Sequence, residues 1–173
     1  MCAMGPSSSP RPKQATARDV WRMFDRIAPR YDLLNRLLSM RRDVAWRRRV
    51  SRSMPQGRPL RILDLATGTA DVLLDAAQRR DVALGVGLDP SPGMLELART
   101  KLERINATDG APRLTLVRGD ATALGFRDAS FDVVTIAFGI RNVADPLQGL
   151  REMHRVLRPG GRLVAQYGGR GNV

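Results

Sequence analysis

The chain has 173 residues, 43% of them hydrophobic, which is enough for one domain with a core and excludes a disordered polypeptide. The net charge of +12 most simply indicates a surface that keeps the protein soluble. The alternative is that the charge attracts an anionic partner, either nucleic acid or a membrane surface. A single cysteine excludes an internal disulfide, and no Cys/His cluster has metal-ligand spacing. No apolar run approaches the roughly 20 residues that cross a bilayer. A cytoplasmic setting is therefore the simplest interpretation.

The amino-terminal part is predicted to consist of a tail and a helical cap. Residues 1–15 are rich in Ser and Pro, which is typical of a disordered tail. Apolar residues then recur at helical spacing, and residues 16–54 are predicted to form cap helices. The densest basic patch, "RRDVAWRRRVSR", falls on the last of them. Because Trp46 is its only aromatic residue, the patch has few platforms for stacking bases, and nucleic acid is not favoured as a partner.

The pattern then changes to alternating strands and helices. Helices are predicted from Asp71 to about Arg80, in "SPGMLELARTKLERI" and in "ADPLQGLREMHRVL", the last two with Ser91 and Asp145 as N-caps before a proline. The alternation predicts an α/β fold over residues 60–167, with a doubly wound, mostly parallel Rossmann-like sheet. The predicted strands are "LRILDL", "ALGVGLD", "RLTLVRGD", "FDVVTIAFG" and "GRLVAQY".

The turn after the first strand reads "DLATGTAD". Ligands of such sheets bind at the carboxyl ends of the strands, so this turn is a candidate site. It lacks the G-x-G-x-x-G spacing of a pyrophosphate loop, and the carboxylate at the start of the helix would repel phosphate. A cationic or zwitterionic ligand suits it better, and a glycine allows close approach of the backbone. The candidate residues are Asp64, Ala66, Thr67, Gly68 and Asp71.

Two further acids end the second and third strands. Asp89 lies 21 residues after Gly68, where a carboxylate can accept both hydroxyls of a ribose. Asp120 can accept from the amino group of an adenine, with the N–H of Ala121 facing the ring. A single acid of this kind would be interpreted as a helix cap or a solvated strand end. Three at successive strand ends describe a site for adenosine with a charged, phosphate-free tail, and S-adenosylmethionine fits that description.

These motifs resemble those of a known family. "DLATGTAD", "GLDPSPGML", "GDATALGF" and "FDVVTIAFG" resemble the cofactor motifs of class I S-adenosylmethionine-dependent methyltransferases. "YDLLNRLLSMRRDVAW", "FGIRNVAD" and "RVLRPGGRL" resemble the narrower signatures of the C-methyltransferases of menaquinone and ubiquinone biosynthesis. The resemblance covers roughly residues 18–165. It implies methylation of a polyprenyl quinol, either demethylmenaquinol or a ubiquinone precursor; another small molecule or RNA as the acceptor is the alternative.

The resemblance also implies roles for residues outside the cofactor motifs. Arg141 and Asn142 follow the fourth strand and are the candidates for the reacting side, where Arg141 would stabilise a developing phenolate; a structural turn is the alternative for both. Tyr31, Asp32 and Asn35 on the cap would close over the cofactor, or only dock the cap. A substrate that lives in the bilayer would also explain the basic patch as a peripheral contact with the anionic inner face of the membrane.

After "GRLVA" the resemblance ends. The family continues with a leucine, a glutamate and an aromatic-serine pair, and then with further helices and strands, whereas here Gln166 and Tyr167 lead into glycines. The sequence therefore predicts a C-terminally truncated member with an irregular tail at 168–173, an exposed fifth strand and an incomplete substrate half. A remnant that binds S-adenosylmethionine without catalysis is the alternative function. Head group, prenyl length and oligomeric state are not predicted.

Overall fold

The computed structural model describes Val50, residues 52–137 and residues 139–166. The predicted tails and nearly all of the predicted helical cap lie outside these residues. The described elements are strands β1 (Leu60–Leu65), β2 (Val82–Asp89), β3 (Arg113–Arg118), β4 (Phe131–Ala137) and β5 (Leu157–Gln166), helices α1 (Asp71–Ala76), α2 (Pro92–Asn106) and α3 (Pro146–Val156), and a 3-10 turn at Ile140–Asn142.

The strands form one sheet in the order β3-β2-β1-β4-β5, and every pair in it is parallel. α1 and α2 pack on one face of the sheet, through a core that includes Leu73 and Leu102. α3 packs on the other face, through Met153 and Val156. The chain therefore winds outward in both directions from β1 and β4. A ligand crevice is expected between the carboxyl ends of these two strands, where the winding reverses.

The central strands are buried on both faces, as their continuous apolar sequence predicts. β4 is buried from Phe131 to Ile136, whereas no residue of β5 at the edge is buried, and Leu163 is 37% exposed. Among the described residues, β5 pairs only with β4. The predicted α/β fold with a parallel sheet is confirmed.

The two N-caps are confirmed, but α1 ends earlier than predicted. The Oγ of Ser91 accepts from the N–H of Met94 at 3.2 Å, and the carboxylate of Asp145 caps α3. α1 ends at Ala76 and does not reach Arg80. The reason is tertiary, because the guanidinium of Arg79 donates to the carbonyl of Pro55 at 3.0 Å and also pairs with an acid just before β2. These contacts turn the chain into β2.

β5 begins earlier than predicted, at Leu157 instead of Gly161. Leu157 pairs with Phe131, and the register then shifts before Val133 pairs with Arg162. The irregularity takes up a proline, which cannot donate to a ladder, and a glycine with φ of +75°.

Candidate ligand-binding site

The loop after β1 alternates between ordinary and left-handed backbone. Ala66, Gly68 and Ala70 have φ of 50°, 55° and 64°. Only the glycine adopts this conformation freely; each alanine there costs roughly 1–2 kcal/mol. Strained backbone of this kind is held by its surroundings and is concentrated at functional sites.

Three N–H groups of this loop are bonded within the protein. Thr67 donates to the carbonyl of Leu88 at 3.1 Å, Gly68 donates to Oδ2 of Asp89 at 2.8 Å, and Ala70 donates to the carbonyl of Thr67 at 2.9 Å. A pyrophosphate loop instead directs such N–H groups at the ligand. The geometry therefore favours a ligand without phosphate, as the sequence pattern predicts.

Asp64 holds the loop after β1 through hydrogen bonds to its carboxylate. Its carboxylate is 1% exposed and accepts from the hydroxyl of Thr135 on β4 at 2.5 Å and from the hydroxyl of Thr67 at 2.6 Å. Burial raises the pKa of Asp64 to about 6; the two hydroxyls oppose the shift, and the negative charge of Asp89 adds to it. Asp64 thereby joins the loop to β4.

Asp89 connects the exits of β1 and β2. It is 6% exposed, and its second oxygen, Oδ1, accepts from the N–H of Ser91 at 2.9 Å, at the start of α2. The carboxylate thereby joins the loop after β1 to the start of α2. The backbone carbonyl of Asp89 also accepts from the N–H of Gly119 at 3.2 Å, which joins the exit of β3 to the same residue.

Asp120 and Ala121 begin the segment between β3 and β4. Oδ1 of Asp120 accepts from both the N–H and the hydroxyl of Thr122, each at 2.8 Å, which fixes a tight turn. Asp120 is exposed, whereas Ala121 is buried. The structure therefore brings the predicted acids at the ends of β1, β2 and β3 to one edge of the sheet.

Asp71 has a partner that sequence reasoning missed. Nζ of Lys101 on α2 donates to Oδ1 of Asp71 at 2.8 Å and to the hydroxyl of Thr69 at 2.9 Å. Nothing in the sequence singles out Lys101, because the contact depends on α1 and α2 lying side by side. The pair presents a carboxylate and an ammonium together, which complements a zwitterionic group.

The exit of β4 lies against the β1 loop. Gly139 is buried, and a Cβ atom at this position would lie 2.3 Å from the Cβ of Ala66. Only glycine allows the two exits to meet at this distance. The 3-10 turn that follows contains Arg141, which is exposed, and Asn142, which is half-buried and donates its N–H to the carbonyl of Gly139 at 2.9 Å.

The remaining candidates lie outside the described residues. They are Tyr31, Asp32 and Asn35, together with the basic patch except Val50, which is buried, and Arg52, which is exposed. In the described part of the chain, no three His, Cys, Asp or Glu residues are grouped as a metal site would require. Nor does this part contain a helix with the length and hydropathy to cross a membrane.

The parallel five-stranded sheet with helices on both faces is the fold of class I S-adenosylmethionine-dependent methyltransferases. A SAM-dependent methyltransferase from Thermotoga maritima has a similar structure, with a TM-score of 0.62 and 26% identity over 84% of this chain and 60% of that one. The [4+2]-cyclase SpnF superposes with a TM-score of 0.75 at 22% identity, over 89% of this chain and 61% of its own, and shows the fold alone.

The chain belongs to the ubiE/COQ5 methyltransferase family, whose model matches residues 12–167. It is 51% identical over 142 residues to the demethylmenaquinone methyltransferase of Thermus thermophilus, covering 82% of this chain and 62% of that protein. It is 49% identical over 143 residues to the ubiquinone/menaquinone biosynthesis C-methyltransferase UbiE of Geotalea uraniireducens, covering 82% and 60%. The chain thus spans about three fifths of the length of these curated relatives. The resemblance stated from the motifs is confirmed.

Proposed function

We propose that this chain binds S-adenosylmethionine in the crevice at the exits of β1 to β4, and that the protein methylates a ring carbon of a polyprenyl quinol in quinone biosynthesis. The observation that carries the cofactor assignment is the loop of Ala66 to Ala70, whose N–H bonds at Thr67, Gly68 and Ala70 close inside the protein. A phosphate-bearing nucleotide would need those donors, whereas S-adenosylmethionine does not.

The chain's residues fit the parts of that cofactor. Asp89 is the acceptor for the ribose hydroxyls, because the N–H groups of Gly68 and Ser91 fix its carboxylate beside the loop after β1. Asp120 accepts from the adenine amino group, and Ala121 offers its N–H to the ring. Asp71 and Lys101 together suit the amino and carboxylate groups of the methionine part.

The bound cofactor supplies a methyl group that its sulfonium already activates. The protein therefore has to align the acceptor carbon with the methyl group and to exclude water, and alignment of this kind lowers a barrier by roughly 7–11 kcal/mol. Arg141 is exposed in the 3-10 turn that follows Gly139, where its cation stabilises the phenolate that forms as the quinol loses its proton. Asn142 supports that turn through its backbone bond to Gly139. Tyr31, Asp32 and Asn35 lie outside the described residues, and their role stays the one that the resemblance implies, which is to close over the cofactor or only to dock the cap.

The quinol substrate is supported by the family and by the two relatives, whose names refer to demethylmenaquinone and to ubiquinone and menaquinone biosynthesis. Binding without catalysis is the alternative, since the chain covers 62% and 60% of those relatives. An assay with demethylmenaquinol as the acceptor separates the two. Methyl transfer supports the enzyme, whereas tight binding of S-adenosylmethionine without transfer supports the alternative.

The cofactor assignment predicts opposite results for two substitutions. Asp89→Ala removes the ribose acceptor and one anchor of the loop, so we expect calorimetry to give an affinity for S-adenosylmethionine at least about tenfold weaker. Arg141→Ala is expected to leave that affinity unchanged and to lower turnover. Unchanged affinity in Asp89→Ala would refute the cofactor site, and normal turnover in Arg141→Ala would remove Arg141 from catalysis.

The basic patch around Trp46 supports a peripheral contact with an anionic membrane, because the quinol resides in the bilayer. Clustered Arg residues attract anionic lipids, and salt screens this attraction. We expect the protein to sediment with phosphatidylglycerol vesicles at low salt and to be released from them at high salt. It should not sediment with neutral phosphatidylcholine vesicles. Sedimentation that does not depend on salt or lipid charge would leave the patch a role in solubility alone.

A further inference from the structure

The loop between β3 and β4, residues 119–130, is held by α3. The guanidinium of Arg155 donates to the carbonyl of Leu124 and to the carbonyl of Phe126, both at 2.8 Å. It also pairs with Asp128 at 2.7 Å. A planar guanidinium with five donors can hold several acceptors in fixed directions at once, which a lysine cannot do.

Glu152, one helical turn before Arg155, completes the arrangement. Its two oxygens accept from Arg155 at 2.7 and 2.8 Å, and one of them also accepts from the N–H of Leu124 at 2.7 Å. The arginine holds the pKa of the Glu152 carboxyl below its usual range, and Glu152 in turn raises the pKa of Arg155. Both N–H and C=O of Leu124 are thereby bonded to one ion pair.

The pair of Glu152 and Arg155 is connected to the candidate adenine position through the short segment from Asp120 to Leu124. Leu124 is 5% exposed, so its side chain is fixed in the core while the pair fixes its backbone. Two residues earlier, the carbonyl of Thr122 accepts from the side-chain amide of Gln148 on α3 at 3.4 Å. Thr122 in turn makes both hydrogen bonds to Oδ1 of Asp120. No more than four residues therefore separate the pair's anchor from Asp120.

We propose that Glu152 and Arg155 are positioning residues for the adenine half of the ligand site, because they hold the loop that begins with Asp120 and Ala121 in the conformation that receives the ring. They do not touch the ligand. The proposal rests on the proposed cofactor site. It adds that recognition of adenine depends on a helix on the opposite face of the sheet from α1 and α2.

The chain offers a matched control in Arg158. Its exposed fraction of 34% is close to the 32% of Arg155, and it also bonds a carboxylate, Asp132, and a backbone carbonyl, that of Ala129. Ala129 lies at the β4 end of the loop 119–130, and Asp132 lies at the amino end of β4. Replacing Arg158 therefore removes a similar set of bonds without touching the segment from Asp120 to Leu124.

The test measures two ligands at 25 °C by calorimetry: S-adenosylhomocysteine, and 5′-methylthioadenosine, which has the adenosine half but no amino-acid group. Because the carbonyls of Leu124 and Phe126 lose their charged donor, we expect Arg155→Met to weaken both ligands by the same factor of about ten or more. Arg158→Met should leave both affinities within about twofold of the unsubstituted chain, whatever its effect on stability.

The results separate the two proposals. If the unsubstituted chain binds neither ligand, the cofactor site is refuted, and this inference with it. If the chain binds both and Arg155→Met binds them equally well, or if Arg158→Met weakens them as much, only the positioning role is refuted. Glu152→Gln, which keeps the shape but removes one acceptor, is the variant to use if Arg155→Met does not fold. It should weaken both ligands equally and speed hydrogen exchange at the Leu124 amide.

Discussion

Asp132 lies near the amino end of β4 and Asp64 near the carboxyl end of β1, and both are buried, at 0% and 1% exposure. Asp132 accepts from the guanidinium of Arg58 at 2.7 Å, from Arg158 at 3.0 Å and from the N–H of Arg61 at 2.8 Å. Asp64 accepts from two hydroxyls, and no cation of the described part of the chain is among the groups that shift its pKa.

The two edges of the sheet therefore use buried charge differently. At the amino edge, two arginines neutralise the carboxylate and join the starts of β1, β4 and β5, so the charge serves stability. At the carboxyl edge, the charges of Asp64 and Asp89 repel each other, and among the described residues no arginine or lysine contributes to the shift in the pKa of Asp64. A sulfonium or ammonium ligand would relieve that repulsion. Each prediction below tests this division.

The largest effect is expected at the amino edge. Asp132→Ala leaves two arginines without their buried partner and the N–H of Arg61 unsatisfied, so we expect a loss of about 3–5 kcal/mol in the free energy of unfolding, measured with urea. Ligand affinity at 25 °C should stay unchanged where the variant is folded. The control is Glu96→Ala, because the pair of Glu96 with Arg99 is exposed and is worth at most about 0.5 kcal/mol. A loss below about 1 kcal/mol in Asp132→Ala would contradict the assigned role.

The next effect concerns pH at the carboxyl edge. Folding raises the pKa of Asp64 from 3.8 to about 6, so its contribution to stability is complete below pH 3.8 and is lost as the pH rises through 6. Asp64→Asn cannot titrate. The stability of this variant relative to the unsubstituted chain should therefore rise by about 3 kcal/mol across that window, at 1.36 kcal/mol for each pKa unit.

For Glu152→Gln we expect a pH dependence of stability with the opposite sign. The arginine beside Glu152 lowers its pKa, so the stability it contributes is present above its unfolded pKa and is lost as the pH falls. The difference between Glu152→Gln and the unsubstituted chain should therefore shrink at low pH. For Asp64→Asn, a difference in the free energy of unfolding from the unsubstituted chain that stays constant between pH 4 and 7 would show that folding does not raise the pKa of Asp64.

The features that were predicted from the sequence are those set by local chemistry. Ser91 and Asp145 cap their helices because a hydroxyl or carboxylate before a proline satisfies N–H groups only a few residues away. The apolar strands and the acids at their ends follow from burial in a parallel sheet. The end of α1 was missed because Arg79 reaches Pro55, 24 residues away. Lys101 was missed for the same kind of reason, since its partner lies on another helix.

The smallest of these effects tests the contact between the exits of β1 and β4. Gly139→Ala would place a Cβ atom 2.3 Å from that of Ala66, and overpacking of this kind costs about 1–3 kcal/mol. The two exits must then separate, which should also weaken S-adenosylmethionine binding in calorimetry. Adding Ala66→Gly removes the clashing atom and relieves a residue with φ of 50°, so the double variant should recover both stability and affinity.

Gly161→Ala is the matched control for the other edge of the sheet. Its Cβ atom would lie 2.8 Å from the carbonyl oxygen of Arg158 and 3.1 Å from that of Asp132, so it should lose stability without losing affinity. If Gly139→Ala and Gly161→Ala weaken binding alike, the contact with Ala66 has no special part in shaping the crevice. If only Gly139→Ala does so and Ala66→Gly restores it, the distance between the two exits determines how the ligand fits. Crowding at the carboxyl edge then affects binding, whereas equal crowding at the amino edge affects only folding.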